Sequence, residues 1–125
     1  MRLLKALMFA WTSIAAMALA AEPPFAGVYS GHGRQCDGRL EIRAQSISWQ
    51  TPFAHCGRRP FRIVEDRQDA SALVFQIKGR ACDFGVIRLS RDPAYPAYWI
   101  ATGFRTLEDY RKNSDDALKC SLEKR

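Results

Sequence analysis

Apolar and polar side chains alternate along most of the chain after residue 27, with the period of two that is typical of β-strands. In residues 36–43, for example, Leu40 and Ile42 alternate with Arg39 and Glu41. The same pattern recurs in six further segments, which are residues 28–30, 46–51, 60–66, 72–78, 84–91 and 98–104. Strands with one apolar and one polar face favour an antiparallel sheet that is wet on one side.

The C-terminal region departs from this pattern and then returns to it. Thr106 is followed three residues later by Asp109, which resembles a capping box and predicts a short helix over residues 106–112. Alternation over residues 117–123 predicts a final strand. A second helix is the alternative there, because two leucines lie four residues apart.

Short strands joined by short turns limit the choice of fold. Seven or eight of them favour an all-β domain with a small helical contribution, either a closed or nearly closed antiparallel β-barrel or a β-sandwich. We expect a single domain over residues 21–125, because about 100 residues are too few for two sizeable cores.

The first 20 residues have the features of an export signal. Arg2 and Lys5 accompany an apolar stretch that ends in the Ala-Leu-Ala of residues 18–20, and signal peptidase accepts small residues at such a site. An uncleaved membrane anchor is the alternative, but it needs about 20 consecutive apolar residues. We therefore predict a cleavable signal peptide over residues 1–20 and a soluble periplasmic or secreted product without a transmembrane segment.

Export changes the charge that is relevant to function. The whole chain has a net charge of +6, and loss of Arg2 and Lys5 leaves 17 basic against 13 acidic residues, or +4. An exported protein with this modest charge is not expected to bind nucleic acid. A basic patch on it suits anionic components of a bacterial envelope, such as lipid headgroups or polymers.

Four cysteines remain after the predicted cleavage, and they are Cys36, Cys56, Cys82 and Cys120. An even number in a small exported domain predicts two disulfides. We favour Cys36–Cys56 with Cys82–Cys120, because each bond then closes a loop within its own half of the chain. The alternative is a zinc site that includes His32 and His55, but the spacings of zinc motifs are lacking, so no metal is predicted.

Candidate catalytic groups are sparse. The sequence lacks the motifs of serine hydrolases, zinc peptidases and phosphate-binding loops. His32 lies among glycines, which more often permit a bend in a barrel strand than form a reactive loop. No catalytic residue and no cofactor is predicted, and a small exported hydrolase is the third choice for function.

The first candidate binding feature is a group of arginines. The chain after residue 20 has 13 arginines against four lysines, and Arg58, Arg59 and Arg62 lie close together, with Arg67 following. The planar guanidinium group presents paired donors that suit carboxylate and phosphate. A solvated outer face is the alternative interpretation, since acidic residues lie nearby in the sequence.

The second candidate feature is aromatic. Tyr95, Tyr98 and Trp99 lie beside prolines where a turn leads into a predicted strand, and such side chains present a rigid surface to a sugar ring or a protein. Tyr98 and Trp99 are adjacent and therefore point to opposite faces, so one of them is expected in the barrel core.

The Ser-Gly pair at Ser30 and Gly31 is similar to a feature of a known family. A small exported β-barrel with a cysteine near its C-terminus resembles the periplasmic lysozyme inhibitors of Gram-negative bacteria, which insert a Ser-Gly loop into the lysozyme cleft. The resemblance implies a binding role for Ser30, with His32 nearby, whereas a positive charge opposes binding to basic lysozymes.

The sequence as a whole favours a non-enzymatic binding protein. Its expected partner is an anionic or aromatic-contacting component of the cell envelope. An inhibitor of a hydrolase such as lysozyme is the alternative.

Overall fold

The computed structural model describes residues 23–67, 72–79 and 82–125. The predicted signal peptide therefore lies outside the described residues. Eight antiparallel strands form a closed barrel in which each strand pairs with the next along the chain. The strands are β1 (Gly27–Gly31), β2 (Gly38–Ile42), β3 (Ser46–Gln50), β4 (His55–Arg67), β5 (Ala72–Ile77), β6 (Val86–Arg91), β7 (Tyr98–Phe104) and β8 (Leu118–Lys124).

The pairing of β8 with β1 closes the barrel. Tyr29 is opposite Lys124, and Gly31 is opposite Leu122. The prediction of a β-barrel is thus confirmed, and the sandwich and the second C-terminal helix are excluded. A single sheet closed on itself leaves no unpaired edge, which is why short amphipathic strands are stable in this arrangement.

β4 begins five residues earlier than the alternation suggested, at His55. Its first half pairs with β3 as far as Pro60, and its second half pairs with β5 from Phe61 onward. Pro60 therefore lies where one ladder gives way to the next, a position that tolerates a missing backbone N–H. Irregular register on both sides of this strand obscured its first half in the sequence pattern.

The barrel interior is filled by large buried side chains. Trp49, Tyr29 and Phe75 are completely buried, together with aliphatic residues from the other strands. The Trp49 ring stacks on Phe84 with 4.8 Å between the centroids. A Cβ at Gly103 would lie 2.4 Å from the Phe84 ring, so the close packing of these aromatic rings requires glycine at that position.

A single short helix, α1 (Leu107–Arg111), covers part of the outer face of the barrel. Leu107 and Tyr110 pack on a second buried cluster formed by Val74, Val86 and Phe104. The helix has the predicted N-cap, since the side chain of Thr106 accepts a hydrogen bond from the backbone N–H of Asp109 at 3.0 Å. The described part of the chain contains no helix long and apolar enough to span a membrane.

Two disulfides are present, but the favoured pairing was wrong. The bonds are Cys36–Cys120 and Cys56–Cys82, with Cα atoms 5.6 and 5.0 Å apart. Because β8 lies beside β1 in the closed barrel, Cys120 meets the connection that follows β1. Cys56 is the second residue of β4 and meets the connection between β5 and β6. Proximity in the sequence was therefore a poor guide to proximity in the barrel.

The disulfides distinguish the two ends of the barrel. Both lie at the end where the connections follow β1, β3, β5 and β7, which we call the stapled end. The opposite end, where β1 and β7 begin and β6 and β8 end, is the mouth. The segment before β1 lies at the mouth, where the Tyr29 hydroxyl donates a hydrogen bond to the carbonyl oxygen of Phe25 at 2.6 Å.

Candidate anion-binding groove

The three arginines selected from the sequence do not converge on one site. The Arg58 guanidinium lies 3.4 Å from the Glu41 carboxylate and donates to the hydroxyl of Ser46 at 2.9 Å. Arg62 donates from Nε to the side-chain oxygen of Gln76 at 2.7 Å. Arg58 and Arg62 thus have polar partners on the outer face of the barrel.

Arg59 lies apart from these two. It is paired with Ile47, whose side chain is in the core, and so it projects from the other face of β4. One of its guanidinium nitrogens donates to the carbonyl oxygen of Arg58 at 3.3 Å. Neighbouring arginines in a strand are therefore distributed over two faces, and adjacency in the sequence does not make a patch.

Ser30 and Gly31 are the last two residues of strand β1 and do not belong to a projecting loop. Ser30 is only 8% exposed and is paired with Arg39 on one side and Glu123 on the other. A Cβ at Gly31 would lie 2.2 Å from the carbonyl oxygen of Cys36, so this glycine is required for packing. The feature that carried the likeness to lysozyme inhibitors is thus part of the barrel wall.

His32 follows β1 and is exposed. Among the described residues, no group of three or more His, Cys, Asp or Glu side chains could hold a metal ion.

The aromatic candidates are divided between surface and core. Tyr95 and Tyr98 are 66% and 41% exposed, and their rings meet edge to face with centroids 6.5 Å apart. Trp99 turns inward and contacts the Tyr29 ring at 5.8 Å. The Arg91 guanidinium lies over the Trp99 ring, 4.7 Å from its centroid. Two tyrosines thus stand beside the mouth, and Trp99 forms part of its wall.

A different set of arginines does converge. Arg67, Arg88, Arg91 and Arg111 line a groove of about 610 Å³ on the outside of the barrel, between α1 and strands β4 to β6. We call it the arginine groove and define it by these four residues together with Glu65 and Tyr110. Its floor is the outer face of β5 and β6, where it is lined by half-buried Ala72 and Ser90 and by buried Val74.

The barrel topology explains how these four residues meet. Arg67 ends β4, Arg88 and Arg91 lie on β6, and Arg111 ends α1. β5 separates β4 from β6, and its small outer side chain at Ala72 leaves the space that the longer arginine side chains surround. The groove therefore depends on strand order and on the position of the helix, neither of which is local in the sequence.

Aromatic rings orient two of the four guanidinium groups. Arg88 lies over the Phe104 ring at 5.8 Å from its centroid, and Arg91 lies over Trp99. Arg91 also donates to the carbonyl oxygen of Pro96 at 3.3 Å. An aromatic ring holds a guanidinium in place without neutralising its charge, so both groups remain able to attract an anion.

Glu65 is the only carboxylate among the described residues that line the groove. It accepts a hydrogen bond from the Tyr110 hydroxyl and forms an ion pair with Arg67. The hydrogen bond from Tyr110 lowers the pKa of Glu65, with further lowering by Arg67 and Arg88. Burial and the contact with Glu65 raise the pKa of Tyr110. Glu65 is therefore ionised at neutral pH, and the described lining of the groove combines four arginines with one carboxylate.

Part of this groove could have been found from the sequence. Alternation places Arg88 on the outer face of its strand, and placing β4 and β6 on either side of β5 brings Arg67 towards it. Arg91 and Arg111 could not be placed without the tertiary structure, because their positions depend on the Trp99 ring and on how α1 docks.

Comparisons of the chain with protein-family models, with curated proteins and with solved structures return no match. A proposal about function therefore rests on the chemistry of the groove. Guanidinium groups donate paired hydrogen bonds to the oxygens of a carboxylate or phosphate, and the groove holds several of them around a space of small-molecule size.

Proposed function

We propose that this protein is an exported, non-enzymatic binding protein that takes a small anionic ligand of the cell envelope into the arginine groove. The observation that carries the proposal is the convergence of four guanidinium groups on one concave surface whose described lining includes a single carboxylate. The ligand is expected to bear carboxylate or phosphate oxygens, because these accept the paired donors of arginine.

The strength of such binding can be estimated from the groups involved. Hydrogen bonds to charged groups contribute about 1.5–3 kcal/mol each. Two arginine contacts would then give dissociation constants between several millimolar and roughly tens of micromolar. Ligands that engage three or four arginines would bind more tightly, so a compact polyanion is a better probe than a simple salt.

Two further observations support export as part of the proposal. The first 20 residues have the pattern of a signal peptide. Both disulfides are of a kind that persists in oxidising compartments.

A direct test measures citrate and inorganic phosphate binding by calorimetry, with the oxidised protein as it is recovered after export. The test variant is Arg67→Gln with Arg91→Gln, which removes two groove cations. The matched control is Arg43→Gln with Arg58→Gln, which removes the same charge at positions that ion-pair with Glu41 and do not line the groove.

We expect the test variant to weaken citrate binding at least tenfold, and the control variant to weaken it less than threefold. Equal losses in both variants would mean that the overall field and not the groove attracts the anion. Absence of binding at about 10 mM citrate or phosphate in low salt would overturn the proposal, because about 10 mM is the weakest dissociation constant expected from two arginine contacts.

No specific observation favours the other two functions. The Ser-Gly pair that suggested a lysozyme inhibitor lies within the β1 ladder. His32, which lies among the glycines that could resemble a reactive loop, is exposed after β1. Neither is proposed further.

A further inference from the structure

The arginine groove continues into a second cavity at the mouth of the barrel. This mouth cavity has a volume of about 520 Å³. Arg67, Ala72 and Arg91 line both cavities. The two spaces are therefore neighbouring parts of one trough that runs from the outer face of the barrel over its rim.

The mouth cavity differs from the groove in having an apolar wall. Phe25, Leu73 and Trp99 form this wall, and each is partly buried against the barrel core. The Phe25 ring is fixed by an edge-to-face contact with Phe75, with centroids 5.4 Å apart. Because buried side chains fill the interior below, an apolar group would lie across the mouth and not descend into the barrel.

Cations border this apolar wall. Arg67 and Arg91 lie on the side that joins the groove, and Lys124 lies on the far side, where its ammonium donates to the carbonyl oxygen of Pro24 at 2.7 Å. Asp66 is the one carboxylate among the described residues that line the cavity. An apolar surface edged by positive charge is complementary to a molecule with an acyl chain and an anionic headgroup.

We propose that the ligand is a free anionic amphiphile with a single acyl chain. Its carboxylate or phosphate headgroup binds at the arginine groove, and the first part of its chain lies on Phe25, Leu73 and Trp99. This inference rests on the proposed function, since it uses the same arginines for the headgroup. It adds the apolar part of the ligand, which the groove alone does not specify.

The test compares acetate, hexanoate and decanoate below their micelle-forming concentrations, with citrate as a probe that has no chain. Each methylene buried on the wall strengthens binding by up to about fourfold. We expect decanoate to bind at least 30-fold more tightly than acetate. Emission from Trp99 should change on binding, because this residue lies in the wall and Trp49 lies in the core.

Leu73→Gln is the diagnostic variant, because it makes the wall polar with little change in size. It should remove the increase in affinity from acetate to decanoate and leave the affinity for citrate within twofold of the parent value. Leu118→Gln is the matched control, since Leu118 is a partly buried leucine at the stapled end. If Leu73→Gln does not fold, Phe25→Ala serves instead, because Phe25 precedes the first strand.

The possible outcomes separate the two proposals. Citrate binding that needs Arg67 and Arg91, without any gain from chain length, would overturn the amphiphile and leave the anion site intact. Decanoate binding that is insensitive to Arg67→Gln with Arg91→Gln would overturn both. Retention on vesicles of anionic phospholipid, with no binding of free decanoate, would show a membrane surface as the partner and would also overturn the inference.

Discussion

The two ends of the barrel differ in what holds them together. At the stapled end, two disulfides join the connections to the strands, and the Trp49–Phe84 stack packs beneath them. At the mouth, stability comes from noncovalent contacts such as the hydrogen bond from Tyr29 to Phe25. The mouth also carries clustered cations, a partly exposed apolar wall and two exposed tyrosines.

This difference has a physical explanation. Like charges held close together destabilise a fold, and an apolar wall left open to water forgoes part of the gain from burial. Covalent crosslinks at one end supply stability that does not depend on the chemistry of the other end. The barrel can therefore keep a surface suited to a ligand at the mouth.

The largest expected effect comes from removing the disulfide that encloses the longer stretch of sequence. Cys36→Ser with Cys120→Ser should lower the free energy of unfolding by up to about 4.5 kcal/mol, and Cys56→Ser with Cys82→Ser by up to about 3.5 kcal/mol. The order follows from the sequence separations of 84 and 26 residues. Urea unfolding of both pairs checks the order, and the opposite ranking would contradict it.

Overpacking at the stapled end should have the next largest effect. Gly103→Ala places a Cβ 2.4 Å from the Phe84 ring and 3.0 Å from Trp49, and these two buried rings are stacked on each other. The free energy of unfolding should fall by about 1–3 kcal/mol. Gly57→Ala is the control, because its nearest neighbour is a guanidinium nitrogen at 3.9 Å. A loss as large in the control would show that strand glycines matter for another reason.

Loss of the helix cap should have a moderate effect. Thr106→Ala removes the side-chain acceptor for the backbone N–H of Asp109, and such changes lower stability by about 1 kcal/mol. Thr106→Ser keeps the acceptor and should restore most of the loss. Thermal unfolding followed by circular dichroism is sufficient, and equal midpoints for the alanine and serine variants would be inconsistent with a capping role.

The smallest effect on the free energy of unfolding is expected from losing the Tyr110–Glu65 hydrogen bond in the arginine groove, and this effect depends on pH. The pKa of Glu65 is lowered in the folded protein, first by the hydrogen bond from Tyr110. Its contribution to stability is therefore present above its ordinary pKa of 4.5 and is lost as the pH falls through the lower folded value. Tyr110→Phe should be less stable than the parent at pH 6, and the difference should shrink in acid.

Tyr95→Phe is the control for this pH dependence, since Tyr95 is exposed beside the mouth. The measurement is the free energy of unfolding of the parent and of both variants at pH 6 and pH 3. A difference between Tyr110→Phe and the parent that is the same at both pH values would mean that Glu65 is not the group involved.

Most strands were predictable from the sequence because each carries its own alternation, and the first half of β4 was the exception. The spacing of Leu40 and Ile42, and of Ile47 and Trp49, indicates a buried face even when the neighbouring strands are not known. The helix was predictable for the same reason, since Thr106 and its partner are three residues apart. Local patterns predict local structure, and short antiparallel strands in series leave few other arrangements.

The disulfides and the groove were not predictable in this way. Cys36 meets Cys120 only because β8 returns to β1, and Arg67 meets Arg111 only because α1 docks beside β5. Arg58, Arg59 and Arg62 do not form one patch for the converse reason, since neighbours in a strand point to opposite faces. Sites assembled across a barrel require the strand order and register first.

The pairing of β1 with β8 also has a consequence for the order in which the barrel and its disulfides form. A nascent chain that lacks residues 118–124 can form the meander from β1 to β7, but both outer strands of that meander are unpaired edges. Such edges are prone to join with other chains, and pairing over so long a sequence separation is slow. Strand β8 must therefore be available before the barrel can close and before Cys36 can pair with Cys120.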